Sequence, residues 1–337
     1  MTTEETSTGN AAPRARDAAR AVRVLVVIVN YRTAALVVDC LRSLEREVAD
    51  LPGTRVVVIE NGSADGSAEL LGEAIAREGW GSWARLETVE VNGGFAAGNN
   101  VALRRVLAAE DGPEFVHLLN PDTTVRPGAI RELVDFLQVH PDVGIVGSRL
   151  EYPDGTRQAS CFRFYNVWSE LDNGMRLGLV SRLLAKHVSR PPHLDVPHAV
   201  DWVSGASLMM RRQVLDAVGP MDERYFLYYE ESDFCLRAAR AGWSCWHVPA
   251  SRVVHLIGKS TGVTGDAERE RRRPKYWFES RRHYFIKNHG HVYQVLVDVT
   301  WLAGFMFWRL RRRIQRKPDM DPPHLGWDFL RYSLLGL

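Results

Sequence analysis

Val24-Leu-Val-Val-Ile-Val-Asn30-Tyr-Arg-Thr33 is an unbroken apolar, mostly β-branched run that ends in a polar turn. The residues that follow, Ala34–Arg46, place Leu36, Val37, Cys40, Leu41 and Leu44 at spacings of three and four. A continuous apolar run suits a strand buried on both faces, and the three-and-four spacing marks one face of a helix. The same alternation recurs. Strands are predicted over Arg55–Ile59, Arg85–Val91, Phe115–Leu119 and Val143–Val146, with helices over Ser67–Arg77, Ala97–Ala109 and Pro127–His140 between them. Buried strands alternating with helices predict an α/β fold around a mostly parallel central sheet.

In such sheets a ligand lies beyond the carboxyl ends of the strands. Four successive loops leave that edge: Asn30-Tyr31-Arg32-Thr33, Glu60-Asn61-Gly-Ser-Ala-Asp65-Gly66, Asn92-Gly-Gly94-Phe95-Ala-Ala-Gly98-Asn99-Asn100, and Asn120-Pro121-Asp122-Thr123. Any one of them could be turn or cap chemistry, because Asn, Asp and Gly favour turns. All four together on one edge indicate a polar ligand site.

The strict alternation ends near residue 148. A strand-like run over Ala199–Arg211 carries Trp202 and Gly205. It is followed by Asp222–Tyr229, a helix near Glu230–Ala241, a short strand over Ser251–Ile257, and a charged helical stretch over 266–290. This divides the chain into a disordered leader (1–20), a catalytic domain (21–290, with a nucleotide-binding half over 21–147 and an acceptor half over 148–265) and a C-terminal amphipathic helix and tail (291–337). The 337 residues carry 43 Lys+Arg against 41 Asp+Glu, a net charge of +2, so no global field points to nucleic acid. Cys40, Cys161, Cys235 and Cys245 are scattered without a C-x-x-C pair, and they read as reduced thiols of a cytoplasmic protein rather than disulfides or zinc ligands.

Asp122 is the strongest metal-ligand candidate. It stands just past a buried strand, and Mg²⁺ or Mn²⁺ often takes one or two carboxylates plus substrate phosphate. The competing reading is a cap for the helix predicted from Pro127. Glu230, Glu231 and Asp233 crowd the first turn of another predicted helix, after a run of aromatics. There they either complement the helix dipole, with Asp233 paired to Arg237 four residues on, or supply a general base, for which Glu231 is the choice. His255 closes a short apolar run and matters only if it meets Asp122.

These blocks resemble the family 2 glycosyltransferases with the GT-A fold, a Rossmann-like nucleotide-diphospho-sugar transferase fold, and most of all their bacterial rhamnosyltransferase branch. The resemblance spans about Val22 to His291. It is carried by Val-Asn30-Tyr31, Asn61-Gly-Ser63-x-Asp65-Gly66-Ser67, Asn92-Gly-Gly94-Phe95-x-x-Gly98-Asn99-Asn100, Leu-Asn120-Pro121-Asp122, Trp202-Val-Ser-Gly205, Asp222-Glu-x-Tyr-Phe, Tyr229-Glu-Glu-x-Asp233-x-x-x-Arg237 and His255-x-x-Gly258-x-Ser260. It implies that Asn30, Tyr31, Glu60, Asn61, the loop with Asn92, Gly94, Phe95, Asn99 and Asn100, and Asn120 with Asp122 surround a nucleotide-sugar donor. It further implies that Asp122 and His255 hold Mg²⁺ or Mn²⁺, that Glu231 is the base with Glu230 and Asp233 beside it, and that Trp202 and Gly205 line the sugar or acceptor pocket. Glu60 stands where the family usually has Asp, and Glu231 where it usually has the Asp of a Glu-Asp pair. Each keeps a carboxylate and lengthens its reach by one methylene. The implied reaction is transfer with inversion, from dTDP-L-rhamnose or else a UDP- or GDP-sugar. The implied acceptor is a glycan or lipid-linked glycan of the cell envelope, and the expected place is the cytoplasm, at the inner face of the cytoplasmic membrane.

Val292–Trp308 is apolar apart from Gln294 and Asp298 and is followed by Arg309, Arg311, Arg312, Arg313, Arg316 and Lys317. It is short for a span, and Asp298 would be costly inside one. An interfacial helix with a basic flank is expected, or a helix packed on the domain. Three other functions find less support. Gly258-Lys-Ser260-Thr-Gly262 matches a serine-hydrolase elbow but lacks an ordered acid and histidine after it. Gly79-x-Gly81-x-x-Ala84 precedes a strand instead of following one, the wrong context for a nicotinamide enzyme. A module that only binds would have no use for Asp122, Glu231 and His255 together.

Overall fold

The computed structural model describes residues 24–256 and 271–337, so the predicted leader and the Ser260 motif fall outside it. β1 (Val24–Asn30), β2 (Thr54–Asn61), β3 (Ala84–Val89) and β4 (Phe115–Leu119) alternate with α1 (Ala34–Asp50), α2 (Ser67–Arg77) and α3 (Gly94–Ala108). These strands stand side by side in the order β3-β2-β1-β4, all parallel. Successive side chains point to opposite faces. Val26, Ile28, Val56 and Val58 pack with Val37, Leu41 and Leu44 of α1, whereas Val27, Val29, Val57 and Ile59 pack with Leu103 and Val106 of α3. Helices cover both faces, which is why the strands read as unbroken apolar runs.

The chain continues through β5 (Thr123–Val125), α4 (Ala129–Val139), β6 (Val143–Glu151), β7 (Cys161–Phe162), α5 (Val167–Met175), α6 (Gly178–Leu183), β8 (His198–Val200), β9 (Trp202–Val203), β10 (Ser207–Arg211), α7 (Arg212–Val218), α8 (Glu230–Arg240) and β11 (Ser244–His255). β10 enters antiparallel between β4 and β6. β11 runs parallel to β6 and carries β8 and β5 along its other edge. The fold is thus α/β with GT-A-like order: a parallel half extended by a mixed half in one sheet. Three strands replace the single one expected over Ala199–Arg211, because β9 leaves the main sheet to pair with β7. β11 begins seven residues before the strand expected from Ser251, across a register shift between Val248 and Arg252 that contains Pro249. That proline hid the first half of the strand.

α9 (Lys275–His289) and α10 (His291–Ile314) close the domain. α10 crosses α5 so tightly that a Cβ on Gly174 would lie 2.6 Å from the Trp301 carbonyl oxygen. Asp298, the residue that argued against a span, is fully buried and meets the buried Arg281, which also bonds Glu170 at 2.6 Å. Leaving either charge unpaired there would cost several kcal/mol, about 3–5 for such a pair. The packed reading of this segment describes one face of the helix. One face of α10 packs on the domain through Val297, Trp301 and Phe305, and the other leaves Val292, Leu296, Val299, Met306, Leu310 and Ile314 exposed. No helix among the described residues is long and apolar enough to cross a membrane.

Candidate active site

The four polar loops do gather at the carboxyl ends of β1, β2, β3 and β4, and their side chains are largely engaged with one another. Asn30 Oδ1 accepts from the Thr33 amide at 3.2 Å and so starts α1. Asn61 Nδ2 donates to Asn92 Oδ1 at 3.0 Å and to the Gly94 carbonyl at 3.1 Å. Glu60 Oε1 accepts from the Ser63 amide at 2.8 Å, and the Ser63 hydroxyl accepts from the Arg32 amide at 2.9 Å. Asn99 donates to the Phe95 carbonyl at 2.9 Å. Asn30, Asn61, Asn92 and Asn99 brace the loops from within. Tyr31, 36% exposed with the Arg32 guanidinium over its ring, and Arg32 itself face outward on the first loop. Ser63 is a hub that sequence reading passed over, although it stands inside a quoted motif.

The third loop is locked to the segment that precedes α8. Gly94 has φ +85°, and a Cβ on it would sit 1.9 Å from the Phe226 carbonyl oxygen. That oxygen accepts from the Phe95 amide at 2.9 Å. Asn100 makes a two-way clamp, donating to the Met221 carbonyl at 2.8 Å and accepting from its amide at 2.9 Å. Asn100 is therefore a brace between the donor side and the catalytic side, not a ligand contact. Tyr228 and Tyr229 follow with φ of 72° and 71°, a conformation that L-residues with side chains rarely adopt. Strain of this kind persists where surrounding contacts fix it, and it turns the chain so that α8 begins at Glu230.

Asp122 is buried, and its Oδ1 lies 3.5 Å from His255 Nε2, although 133 positions separate them in the chain (255 minus 122). β5 and β11 bring them together, with His255 paired to Thr123 and the Leu256 amide bonded to the Asp122 carbonyl at 2.9 Å. Gln158, which no sequence pattern singled out, sets the ring. Its amide nitrogen donates to the His255 carbonyl at 2.7 Å, so its oxygen takes the Nδ1 proton at 3.3 Å. The Nε2 lone pair is then left toward Asp122. An oriented imidazole nitrogen beside a carboxylate oxygen fits a divalent cation, and a hydrogen bond on the far nitrogen is the usual support for a histidine ligand.

Glu231 stands on the first turn of α8. Gly205 lies against both Phe95 and Glu231: a Cβ there would be 3.3 Å from the Phe95 ring and 3.8 Å from Glu231 Cβ. The neighbouring Ala206 carbonyl accepts from the Asn120 amide at 3.1 Å, which joins this corner to the Asp122 loop. Burial raises the Glu231 carboxyl above its ordinary range, opposed by backbone N–H groups including that of Gly205. Its Oε2 is buried without a hydrogen-bond partner among the described residues. Burial, then the Glu231 charge, pushes Glu230 higher still. Asp233 departs from the catalytic grouping expected for it. Its two oxygens accept from Lys287 at 2.6 Å, Asn288 at 2.9 Å, Arg237 at 3.1 Å and Tyr225 at 3.2 Å, so it fastens α8 to α9. The pairing with Arg237 is the structural reading that its spacing had offered.

Glu231 faces a cavity of about 480 Å³ walled by Trp202, Phe162, Tyr165, Tyr228 and Trp277, with Arg190 among its polar residues. Phe162 and Trp202 stack at 4.1 Å between ring centroids. A larger cavity, about 670 Å³, lies at the amino ends of β1, β2 and β3, and neither Asp122, His255 nor Glu231 lines it. Ligands of such sheets bind at the opposite edge, so size does not decide between the two cavities.

Comparison with known proteins identifies the family and the fold. Residues 21–280 match the family described as Glycosyltransferase like family 2. The N-acetylglucosaminyl-diphospho-decaprenol L-rhamnosyltransferase of Mycobacterium tuberculosis is 29% identical over 247 residues, 70% of this chain and 77% of that protein. Rhamnosyltransferase WbbL of Escherichia coli is 38% identical over 169 residues, 48% of this chain and 60% of that one. Among solved structures, the mannosyltransferase PcManGT from Pyrobaculum calidifontis, in complex with GDP-Man and Mn²⁺, superposes with a TM-score of 0.51 at 16% identity, over 93% of this chain and 85% of that one. The fold, the motif order and the match over most of the chain make this protein an enzyme of the family 2 glycosyltransferases, with relatives among the bacterial rhamnosyltransferases.

Proposed function

We propose that this enzyme transfers L-rhamnose from dTDP-L-rhamnose, with inversion, to a hydroxyl of a lipid-linked glycan. The observation that carries the reading is the meeting of Asp122 and His255 at 3.5 Å, in a corner whose backbone leads through Asn120 and Gly205 to Glu231. The relatives named as rhamnosyltransferases, one of them acting on a diphospho-decaprenol sugar, support the donor and acceptor classes.

Asp122 and His255 would hold Mg²⁺ or Mn²⁺, which supplies positive charge to the departing diphosphate. Tyr31 and the loops braced by Asn61, Asn92 and Asn99 form the donor side. The acceptor hydroxyl lies against the aromatic wall of Trp202 and Phe162. Glu231 takes its proton as the oxygen bonds to the anomeric carbon, while the bond from that carbon to the diphosphate breaks and the nucleotide leaves. Inversion follows from a single displacement on the opposite face. Release of nucleotide diphosphate from dTDP-L-rhamnose and from UDP- and GDP-sugars, with and without Mg²⁺ or Mn²⁺, tests the proposal. Cation-dependent release from the dTDP-sugar is expected. Turnover only with a UDP- or GDP-sugar would reject the rhamnosyl assignment and leave the metal corner standing.

The exposed stripe of α10 supports a peripheral position on an anionic membrane surface. Val299, Met306 and Leu310 are at least half exposed along one face, and Arg313, Arg316 and Lys317 follow. An apolar face next to a cationic end matches the requirements of an interfacial helix. The protein is expected to float with phosphatidylglycerol vesicles, and Val299→Glu with Met306→Glu to stay behind. Equal flotation of the double variant would reject α10 as the contact.

A further inference from the structure

We infer that Cys161, His198 and His247 form a second metal site, suited to zinc, behind the Phe162–Trp202 wall of the acceptor cavity and separate from the Asp122–His255 corner. The three residues come from β7, β8 and β11. His198 and His247 are register partners across the antiparallel β8–β11 pair, and Cys161 faces them from the small sheet. One ligand atom from each falls within 4.8 Å of the others, with Cys161 Sγ 3.9 Å from His198 Nε2. Two metal bonds of ~2.3 and ~2.0 Å at a tetrahedral angle put sulfur and nitrogen about 3.5 Å apart, so the Cys161–His198 pair needs only a small shift.

The hydrogen bonds around the imidazoles leave nitrogens available. His198 Nδ1 lies 2.9 Å from the Val196 carbonyl, which can only accept, so Nδ1 carries the proton and Nε2 presents its lone pair toward Cys161. A backbone carbonyl on the far nitrogen is the usual support for a zinc-binding histidine. His247 is 2% exposed. Its Nε2 lies 3.2 Å from the Ser160 hydroxyl, while Nδ1 is buried with no hydrogen-bond partner among the described residues. A buried polar atom without a partner calls for an explanation, and in a cluster with a thiol and a second imidazole a bound cation supplies one. Burial also keeps His247 neutral, with its pKa pushed down to about 4, and neutral imidazole is the ligating form.

The donor set selects the metal. One sulfur and two nitrogens suit zinc, whereas Mg²⁺ and Mn²⁺ prefer oxygen. Burial holds the Cys161 thiol protonated, its pKa pushed up to about 11, so binding would displace that proton to solvent as the sulfur–metal bond forms. Three protein ligands leave a fourth position for water. Phe162, next to Cys161, stacks on Trp202, so the metal would pin the aromatic wall of the cavity and the strand that carries it. The scattered spacing of the cysteines gave no hint of this site.

The test uses the full chain carrying Asp122→Ala, which removes the donor-side cation ligand. After chelation it is titrated with Co²⁺ and followed by absorption. One equivalent is expected to produce a thiolate-to-cobalt charge-transfer band, which Zn²⁺ abolishes by displacement. The band should be absent in Cys161→Ser and weakened in His247→Gln, both compared at matched circular dichroism. Absence of the band in the chain that keeps Cys161 would overturn the site whether or not the variants fold, and so would its persistence in Cys161→Ser. Neither outcome bears on the Asp122–His255 reading, because the parent already lacks Asp122.

Discussion

Asp122→Ala is expected to lower transfer by roughly 10³-fold or more, and to remove the cation dependence of donor binding, while the protein stays folded. The size follows from the several kcal/mol of charge stabilisation that a metal ion provides to a leaving phosphate, at about 1.4 kcal/mol for each factor of ten. Retention of fold follows from the anchoring of this segment. Its backbone is held by the Asn120 amide on the Ala206 carbonyl before it, and by the Leu256 amide on the Asp122 carbonyl and the pairing of β5 with β11 after it. The measurement is donor binding by calorimetry at fixed Mn²⁺, beside turnover and thermal melting. Unchanged cation-dependent binding in a folded variant would refute the role given to Asp122.

Glu231→Gln should behave differently. It keeps the shape of the side chain and its place against Gly205, so donor binding is expected to survive, while transfer falls by roughly 10²–10⁴-fold, the usual contribution of a general base. The pH profile supplies an independent check. Burial favours the neutral acid, so the carboxyl loses its proton above the ordinary glutamate value near 4.5. Turnover should therefore fall on the acid side at a higher pH than an exposed glutamate would give. The linked effect on stability has the opposite sign. A raised carboxyl contributes stability that is complete below its unfolded value and is lost as pH rises through its folded one. Glu230 is raised further by burial and by the Glu231 charge, so it keeps its proton longer. Glu230→Gln is then expected to leave the acid limb in place and to reduce the loss of stability at rising pH. A limb that moves with Glu230 would assign the base to Glu230 instead.

The parallel half of the fold was legible because its code is local. Each strand is apolar on both faces, each helix has one apolar face, and each carboxyl-end loop is polar. The mixed half was less legible because its pairings are distant. Nothing near Ser207 announces that β10 will slide between β4 and β6, and Pro249 broke the pattern of β11. In the candidate site, Asp122, His255 and Glu231 were singled out through motif resemblance, and the fold brings the first two within 3.5 Å. The asparagines read two ways for a physical reason. The residue types that suit a polar ligand also suit turns and caps, and here Asn30, Asn61, Asn92 and Asn99 also hold their own loops together. Gln158 was invisible because its use depends on which strand end it meets, a fact of the tertiary fold. Asp233 was legible only in its plainer reading, as the partner of Arg237 four residues on.

The place of β10 governs how the polypeptide must assemble. As the chain emerges from the ribosome, β1 to β4 can pair as soon as they appear, yet the outer edge of β4 has no neighbour until residues 207–211 have been made. An apolar strand with open backbone groups is the usual seed of unwanted association between nascent chains. Residues 24–119 therefore form a folding unit that must wait for its own later half. Cutting the gene between the two halves would yield a fragment prone to aggregate rather than a free nucleotide-binding domain.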